Sequence, residues 1–161
     1  MIKNICIAAS MITLVMLAAC SNERVFEENI DFNNRVWQAD SLARFKFRIN
    51  DSTQDYSIYL NIRNTADYPF HNIYLEYNLQ DSSGNVLREE LINRNLFDEK
   101  TGKPLGDGLG DIFSHQFPMV TGYEFPQAGL YQLNIQQYMR MDSLPGIVSL
   151  GAKVAMTNAK D

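Results

Sequence analysis

Cys20 is the residue whose type and position most clearly indicate a chemical reaction. It follows Leu17-Ala18-Ala19, at the end of an apolar run that extends from about residue 5 to residue 17. Small residues before a cleavage point are typical of secretory signals, and a cysteine directly after them distinguishes the signals of bacterial lipoproteins. Its thiol is the nucleophile that accepts a diacylglycerol group, and cleavage then leaves Cys20 as the acylated N-terminus. The sequence therefore predicts a signal peptide over 1–19 and lipidation at Cys20.

The predicted anchor is the acyl group, because the apolar run is shorter than the roughly 20 residues of a transmembrane helix. Each buried CH₂ contributes about 0.8 kcal/mol, so two or three chains hold a protein durably where a single chain does not. The alternative is an ordinary signal peptidase site that leaves Cys20 as a free thiol.

Cys6 and Cys20 are the two cysteines of the chain, and Cys6 leaves with the signal. The mature domain is thus predicted to have neither a disulfide nor a thiolate metal site.

The two histidines, His71 and His115, do not indicate a catalytic centre. A hydrolytic triad requires a nucleophile, a base and an orienting acid, and neither histidine has a metal ligand at a useful spacing. Both are interpreted as surface or capping residues. No catalytic residue, metal site or cofactor is predicted, so we do not expect an enzyme.

A glycine-rich segment, residues 102–111, is the most unusual stretch of the mature sequence. Its Gly-x-Gly-x-Gly spacing lacks the preceding strand and following helix that a dinucleotide site requires. Asp98, Asp107 and Asp111 could instead gather around Ca²⁺, which takes oxygen ligands from flexible loops, although the EF-hand spacing is absent. The simplest interpretation is a long connection in which glycines allow positive φ.

Three tyrosines are predicted to face outward and to form a possible binding face: Tyr59, Tyr74 and Tyr138. Aromatic rings on a sheet surface can contact a sugar or a partner protein. Exposed tyrosines are also common in strands, because tyrosine has a high β-propensity.

The elements that must position these residues are strands. Five segments alternate apolar and polar residues with a period of two, as in antiparallel strands with one buried and one exposed face. Turn residues separate them, including Asp81-Ser82-Ser83-Gly84-Asn85, a strong hairpin signal. The segments are 45–49, 56–62, 73–79, 131–135 and 148–156.

These strands predict an all-β fold, a single antiparallel β-sandwich or jelly-roll-like domain. Residues 86–97 fit either a helix or, preferably, the hairpin partner of residues 73–79. The polar residues 21–40 are weakly patterned and suggest a tether. The predicted division is a signal peptide over 1–19, a lipidated cysteine and tether over 20–40, the sandwich over 41–157 and a tail over 158–161.

The charge of the chain restricts the class of partner. It has 19 acidic and 14 basic residues and a formal net charge of −5. This balance argues against nucleic acid, since phosphate contacts dominate that affinity. It also argues against a basic patch on anionic lipid, so the predicted membrane contact is lipid attached through Cys20.

An ordered set of short motifs resembles the gliding-motility lipoprotein GldH family of the Bacteroidota. Each motif alone is weak evidence for the family. The resemblance is specific because the motifs occur in the same order along nearly the whole mature chain. They are Cys20, Arg24-Val25-Phe26, Trp37-Gln38-Ala39-Asp40-Ser41, Phe45-Lys46-Phe47, Leu60-Asn61-Ile62-Arg63-Asn64, Asp67-Tyr68, the glycine loop Pro104 to Ile112, Phe125-Pro126, Gly129-Leu130-Tyr131, Gln136 to Arg140 and Gly146-Ile147.

The resemblance implies a non-enzymatic lipoprotein of the cell envelope that contacts proteins of the gliding and type IX secretion machinery. It supplies no catalytic residues. Ser21-Asn22-Glu23 after the cysteine is compatible with export to the outer membrane. The alternative function is a surface or periplasmic module that binds glycans or another ligand through the outward tyrosines.

Overall fold

The computed structural model describes residues 24–157. The predicted signal peptide, Cys20 and the predicted tail lie outside these residues. The described chain forms eleven strands and one short 3-10 turn. They are β1 (Arg24–Asp31), the turn Asn33–Arg35, β2 (Val36–Gln38), β3 (Ala43–Ile49), β4 (Asp55–Thr65), β5 (Asn72–Asp81), β6 (Val86–Asn95), β7 (Asp107–Leu109), β8 (Ile112–Glu124), β9 (Gly129–Gln137), β10 (Ser143–Pro145) and β11 (Ile147–Met156).

The strands form two main antiparallel sheets around one core, which confirms the predicted all-β fold. The five-stranded sheet has the order β1-β11-β4-β8-β7, and the four-stranded sheet has the order β3-β9-β5-β6. A small third sheet pairs β2 with β10. Side chains from both main sheets belong to a single buried cluster, and Phe47 of one sheet meets Phe26 of the other at a ring distance of 5.7 Å. The arrangement is a β-sandwich.

Alternation determines which side of each strand is buried. In β3, Ala43, Phe45, Phe47 and Ile49 are buried and the residues between them are exposed. All five segments predicted from this pattern are strands, namely β3, β4, β5, β9 and β11. The predictions are confirmed because a period-two pattern can bury all its apolar side chains only in a strand.

Residues 86–95 form β6, the hairpin partner of β5; the helical alternative is therefore wrong. The Asp81 carboxylate closes the turn by accepting hydrogen bonds from the backbone amides of Ser83 (2.8 Å) and Asn85 (2.9 Å). The Asn85 side chain also donates to this carboxylate and, as the largest cause, holds the pKa of Asp81 below its usual value.

The predicted tether is wrong for residues 24–38. β1 pairs with β11 from Arg24 to Asp31, and Trp37 is fully buried in β2. The Trp37 ring stacks on Phe32 at 4.9 Å, and its indole N–H donates to the backbone oxygen of Ser41 over 2.7 Å. Residues 24–38 are therefore part of the sandwich.

Within residues 24–157, no helix has both the length and the apolar character needed to cross a membrane.

Candidate binding surfaces

The three outward tyrosines do not share one face. Tyr59 belongs to β4 in the five-stranded sheet. Tyr74 belongs to β5, and Tyr138 directly follows β9, both in the four-stranded sheet. The structure therefore brings Tyr74 and Tyr138 together and places Tyr59 on the other side of the sandwich.

Tyr74 and Tyr138 form one exposed cluster at an end of the four-stranded sheet. The Tyr138 amide donates to the Tyr74 carbonyl oxygen over 2.8 Å, and the Met139 sulfur lies 3.3 Å from the Tyr74 nitrogen. The side chains of Tyr74 and Tyr138 are 41% and 58% exposed. Met141 is 38% exposed nearby in the chain, so the cluster offers aromatic and thioether surface to a ligand or a partner.

Tyr59 has a different environment. It is half-buried, and the ammonium of Lys153 lies 5.5 Å from the centre of its ring. A cation above the ring occupies the surface that a sugar would stack on. The surroundings of Tyr59 therefore favour a structural contact.

A groove with a volume of about 400 Å³ lies on the five-stranded sheet, and its lining includes Glu27, Asn61 and Gln116. The Gln116 side chain donates to Asn61 Oδ1 over 2.9 Å, and Asn61 donates in turn to Glu27 over 3.3 Å. These contacts link β8, β4 and β1 in one row. The amides are already hydrogen-bonded to one another, so the row strengthens the sheet.

His115 is buried, and its interpretation as a surface or capping residue is wrong. Its ring stacks on Phe117 at 5.5 Å, and its Nε2–H donates to Asn64 Oδ1 over 2.9 Å. Burial lowers the pKa of His115, and the nearby Asp107 carboxylate opposes this shift. Gly106 makes room for the ring, because a Cβ there would lie 2.7 Å from it. The imidazole is a neutral, hydrogen-bonded part of the core.

His71 is exposed, as predicted for a surface residue. Its backbone oxygen accepts hydrogen bonds from the amides of Leu96 and Phe97 at 2.8 and 2.9 Å. This residue fixes the chain after β6 through its backbone.

The aspartates proposed as calcium ligands do not gather. The Asp98 carboxylate accepts bonds from the Thr101 hydroxyl (2.7 Å) and amide (2.8 Å), which lower its pKa. Asp111 pairs with Arg35 at 3.0 Å, and Asp107 faces His115. Across residues 24–157, no three His, Cys, Asp or Glu side chains are grouped to hold a metal ion.

A row of cations on β3 is a further surface feature that was not among the residues predicted from the sequence to bind a partner. Arg44, Lys46 and Arg48 are all exposed on the outer face of the four-stranded sheet. The signal was present in the sequence, because basic residues occupy every outward position between the apolar residues of this strand.

The profile of one protein family covers most of the sandwich, since the GldH lipoprotein profile matches residues 24–154. The chain belongs to the GldH lipoprotein family. The resemblance predicted from the ordered motifs is thereby confirmed.

Two relatives support membership of the GldH family over nearly the full length. The gliding motility lipoprotein GldH homolog of Christiangramia forsetii is 29% identical over 149 residues, which cover 88% of this chain and 90% of that protein. The gliding motility lipoprotein GldH of Flavobacterium johnsoniae is 26% identical over 155 residues, covering 89% and 92%.

Among solved structures, the GldH-family sandwich is similar to a chain in the structure of the Gx strain of infectious bursal disease virus. The match covers 84% of this chain and 32% of the viral chain, with 13% identity and a TM-score of 0.42. A match this distant carries no argument about function.

Membership of the GldH lipoprotein family makes the chain a lipid-anchored lipoprotein of the cell envelope. This confirms the broad localisation predicted from the signal sequence. The acylated residue itself, predicted as Cys20, lies outside the described residues.

Proposed function

We propose that this protein is an outer-membrane lipoprotein, acylated at Cys20, that supports gliding motility through contacts with other envelope proteins and without catalysis. The observation that carries the proposal is the similarity, over about nine-tenths of each chain, to two proteins named gliding motility lipoprotein GldH or its homolog. Association with the type IX secretion and gliding machinery is part of the proposal, because the family resemblance implies it.

The hydrogen bonds and ion pairs of the potentially reactive side chains support a role in protein–protein contacts over a role in catalysis. His115 is committed to Asn64 in the core, and the carboxylates of Asp98 and Asp111 are bonded to neighbouring groups. Within residues 24–157, every buried side-chain nitrogen or oxygen has a hydrogen-bond partner. Polar groups held by structural bonds stabilise a rigid scaffold, which suits a protein that presents surfaces.

Lipid attachment supports a role beside membrane machinery. Confinement to a bilayer raises the effective concentration of the domain near other membrane proteins. A weak contact surface on the sandwich would then suffice for assembly.

The alternative function, glycan binding, has less support than a role in protein contacts. It depended on three tyrosines acting together, and the structure separates Tyr59 from Tyr74 and Tyr138. If Tyr74 and Tyr138 alone bound a sugar, a glycan array would give a hit that Tyr74→Ala abolishes and Tyr59→Ala leaves intact.

The proposed function is tested by deleting the gene in its own host and restoring it as wild type, Cys20→Ala or Cys6→Ala. We expect deletion to abolish colony spreading and to reduce type IX secretion. Wild type and Cys6→Ala should restore both, because Cys6 belongs to the predicted signal peptide, whereas Cys20→Ala should restore neither. Full spreading and secretion in the deletion strain would contradict the proposal.

A further inference from the structure

Exposed apolar side chains are unevenly distributed over the sandwich. Tyr74, Val86, Leu91 and Leu130 lie on strands of the four-stranded sheet, and each is 41–53% exposed. Tyr138 and Met141 follow the end of β9. Among the strand residues whose side chains the structure describes, no large apolar side chain is as exposed on the five-stranded sheet. By strand register, Tyr74, Leu91 and Tyr138 lie together at one end of this face, whereas Val86 and Leu130 lie at its other end. Exposed apolar residues that lie together mark a site of interaction, so the end with Tyr74 and Tyr138 is the candidate.

The same face carries the cationic row of β3. Successive outward residues are two positions apart, so the three charges repeat every ~6.6 Å along the strand. Their cross-strand neighbours on β9 are uncharged, since Arg44 lies opposite Asn134, Lys46 opposite Gln132 and Arg48 opposite Leu130. Within the described part of the chain, none of the three forms an ion pair.

Carboxylates on this face lie on the strands farther from β3. Glu76 is on β5 opposite Gln136 of β9, and Glu89 is on β6 opposite Asn78. At the outward positions of β3, this edge of the face therefore carries only basic side chains, on a chain whose net charge is −5. An acidic surface would complement this edge, and its carboxylates could bind the guanidinium groups of Arg44 and Arg48 in pairs of hydrogen bonds.

We propose that the outer face of the four-stranded sheet is the docking surface for an acidic protein of the cell envelope. Carboxylates of this partner lie along β3, and an apolar part of it covers Tyr74, Tyr138 and Met141. The inference rests on the proposed function and identifies the surface through which its contacts are made.

The residue types favour a protein over the bilayer as the occupant. Tyrosine, methionine and arginine are enriched at protein interfaces. Recognition of anionic lipid uses clusters of four to eight basic residues, whereas the outward positions on the strands of this face carry three basic residues together with Glu76 and Glu89. Four strands spaced ~4.8 Å apart and about nine residues long present ~600 Å², which approaches one side of a specific interface.

The position of the predicted lipid anchor also favours a protein over the bilayer as the occupant. Four residue steps separate Cys20 from Arg24, and such a connection spans at most about 14 Å. Arg24 lies at the end of the sandwich where Ala155 and Met156 finish β11. Tyr74 lies near the start of β5, while the opposite end of that strand, Asp81, pairs with Tyr131. Tyr131 is at the anchored end, because its ring and that of Tyr56, which lies opposite Met156, both pack on Phe125. The aromatic cluster is therefore at the end of the sandwich away from the anchored strand.

The experiment uses the full lipidated protein in its own host, with the photocrosslinking residue p-benzoylphenylalanine placed at position 74, 138 or 59. We expect adducts with one envelope protein from positions 74 and 138, and at least fivefold less adduct from position 59. Mass spectrometry identifies the partner and its crosslinked peptide, which should be rich in Asp and Glu.

Charge reversal provides the decisive control. Lys46→Glu combined with Arg48→Glu should reduce the adduct at position 74 roughly five- to thirty-fold, and changing the partner's acidic residues to Lys should restore it. The matched variant Lys100→Glu with Lys103→Glu, on an exposed loop, should leave the adduct unchanged. Equal melting temperatures of the variants show that each is folded.

Several outcomes would overturn the docking face. They are a phospholipid adduct, an adduct with a second copy of this chain, equal adducts at all three positions, no adduct at positions 74 and 138, and insensitivity to charge reversal. If deletion still abolishes gliding in any of these cases, the proposed function stands and only the face is wrong. A deletion without effect on gliding or secretion removes the proposed function independently.

Discussion

The buried imidazole of His115 links the stability of the fold to pH. The residue is 7% exposed, and burial lowers the pKa of its imidazole in the folded protein. Below the ordinary value of 6.5 the unfolded chain binds a proton that the folded chain resists. The unfolded state is then favoured, so stability falls with falling pH until the folded-state pKa is passed.

This linkage predicts a difference between wild type and His115→Gln. The free energy of unfolding of the wild type should fall more between pH 7.5 and pH 5.5 than that of the variant. Urea unfolding at the two pH values measures both quantities. A parallel loss in the two proteins would show that His115 does not bind fewer protons when folded.

Core packing on β5 is tested by a matched pair of leucines. Leu75 is fully buried, while Leu91 on the adjacent strand is 53% exposed. Leu75→Ala should lower the free energy of unfolding by about 2–5 kcal/mol, because it removes buried methyl groups and leaves a cavity. Leu91→Ala should change it by less than about 0.5 kcal/mol. Urea denaturation compares the two, and similar losses would mean that the buried side of β5 is assigned incorrectly.

Residue burial was predictable where a single strand pattern determined it. Phe45, Leu60 and Leu75 are buried as their alternation indicates. His115 was missed because its burial depends on two distant partners, Asn64 on β4 and Gly106 in the glycine loop. No local pattern relates these positions.

At the scale of elements, the turn between β10 and β11 depends on glycine for two reasons. Gly146 has φ +83°, and a Cβ there would lie 2.9 Å from Tyr68 Cα and 3.0 Å from Thr65 Oγ1. Gly84 in the β5–β6 hairpin has φ +84° with nothing within 4 Å of a Cβ. The two glycines have nearly the same positive φ, and they differ in the crowding that a Cβ would meet.

Alanine substitutions at Gly84 and Gly146 distinguish the free-energy cost of backbone strain from that of crowded packing. Gly84→Ala should cost about 1–2 kcal/mol, from the left-handed conformation alone. Gly146→Ala should cost a further ~1–3 kcal/mol, because the neighbouring backbone must move. Thermal and urea unfolding of both variants give the difference, and equal losses would contradict the close contact with Tyr68.

The finding that residues 24–31 form a strand, and not the predicted tether, is also testable. Hydrogen bonds to β11 should protect alternate amides of the edge strand β1, so residues 24–31 taken together should exchange hydrogen more slowly than the turn residues 50–54. Hydrogen exchange of the intact protein, followed by mass spectrometry, compares the two segments. Exchange of residues 24–31 as fast as that of the turn would mean that they are a tether.

β1 was not predicted as a strand because its alternation of apolar and polar residues is interrupted. Phe26 and Ile30 point towards the core, but Glu28 lies between them on the same side, opposite Ala152. An edge strand tolerates such a charge, and inward charges also protect an edge from pairing with other chains. Central β11, in contrast, was predictable because its pattern extends from Val148 to Met156 without a charge on the apolar side.

At the scale of the whole molecule, the sandwich has two distinct faces, and the proposed lipidation at Cys20 would anchor the end where β1 begins. Apolar and cationic side chains gather outside the four-stranded sheet, while a hydrogen-bonded polar row covers part of the five-stranded sheet. The all-β class and the family were predictable from the sequence, because each follows from local patterns and their order. The grouping of Tyr74 with Tyr138, apart from Tyr59, was not, since strand order in a sheet depends on long-range pairing.

We propose above all that a lipid on Cys20 holds this sandwich in the envelope. Intact mass spectrometry of the protein purified from its host tests it most directly. We predict a chain that begins at Cys20 and carries the mass of two or three acyl chains, and a Cys20→Ala variant without that mass. A mature N-terminus without acyl mass, or a chain that still begins at Met1, would contradict the account.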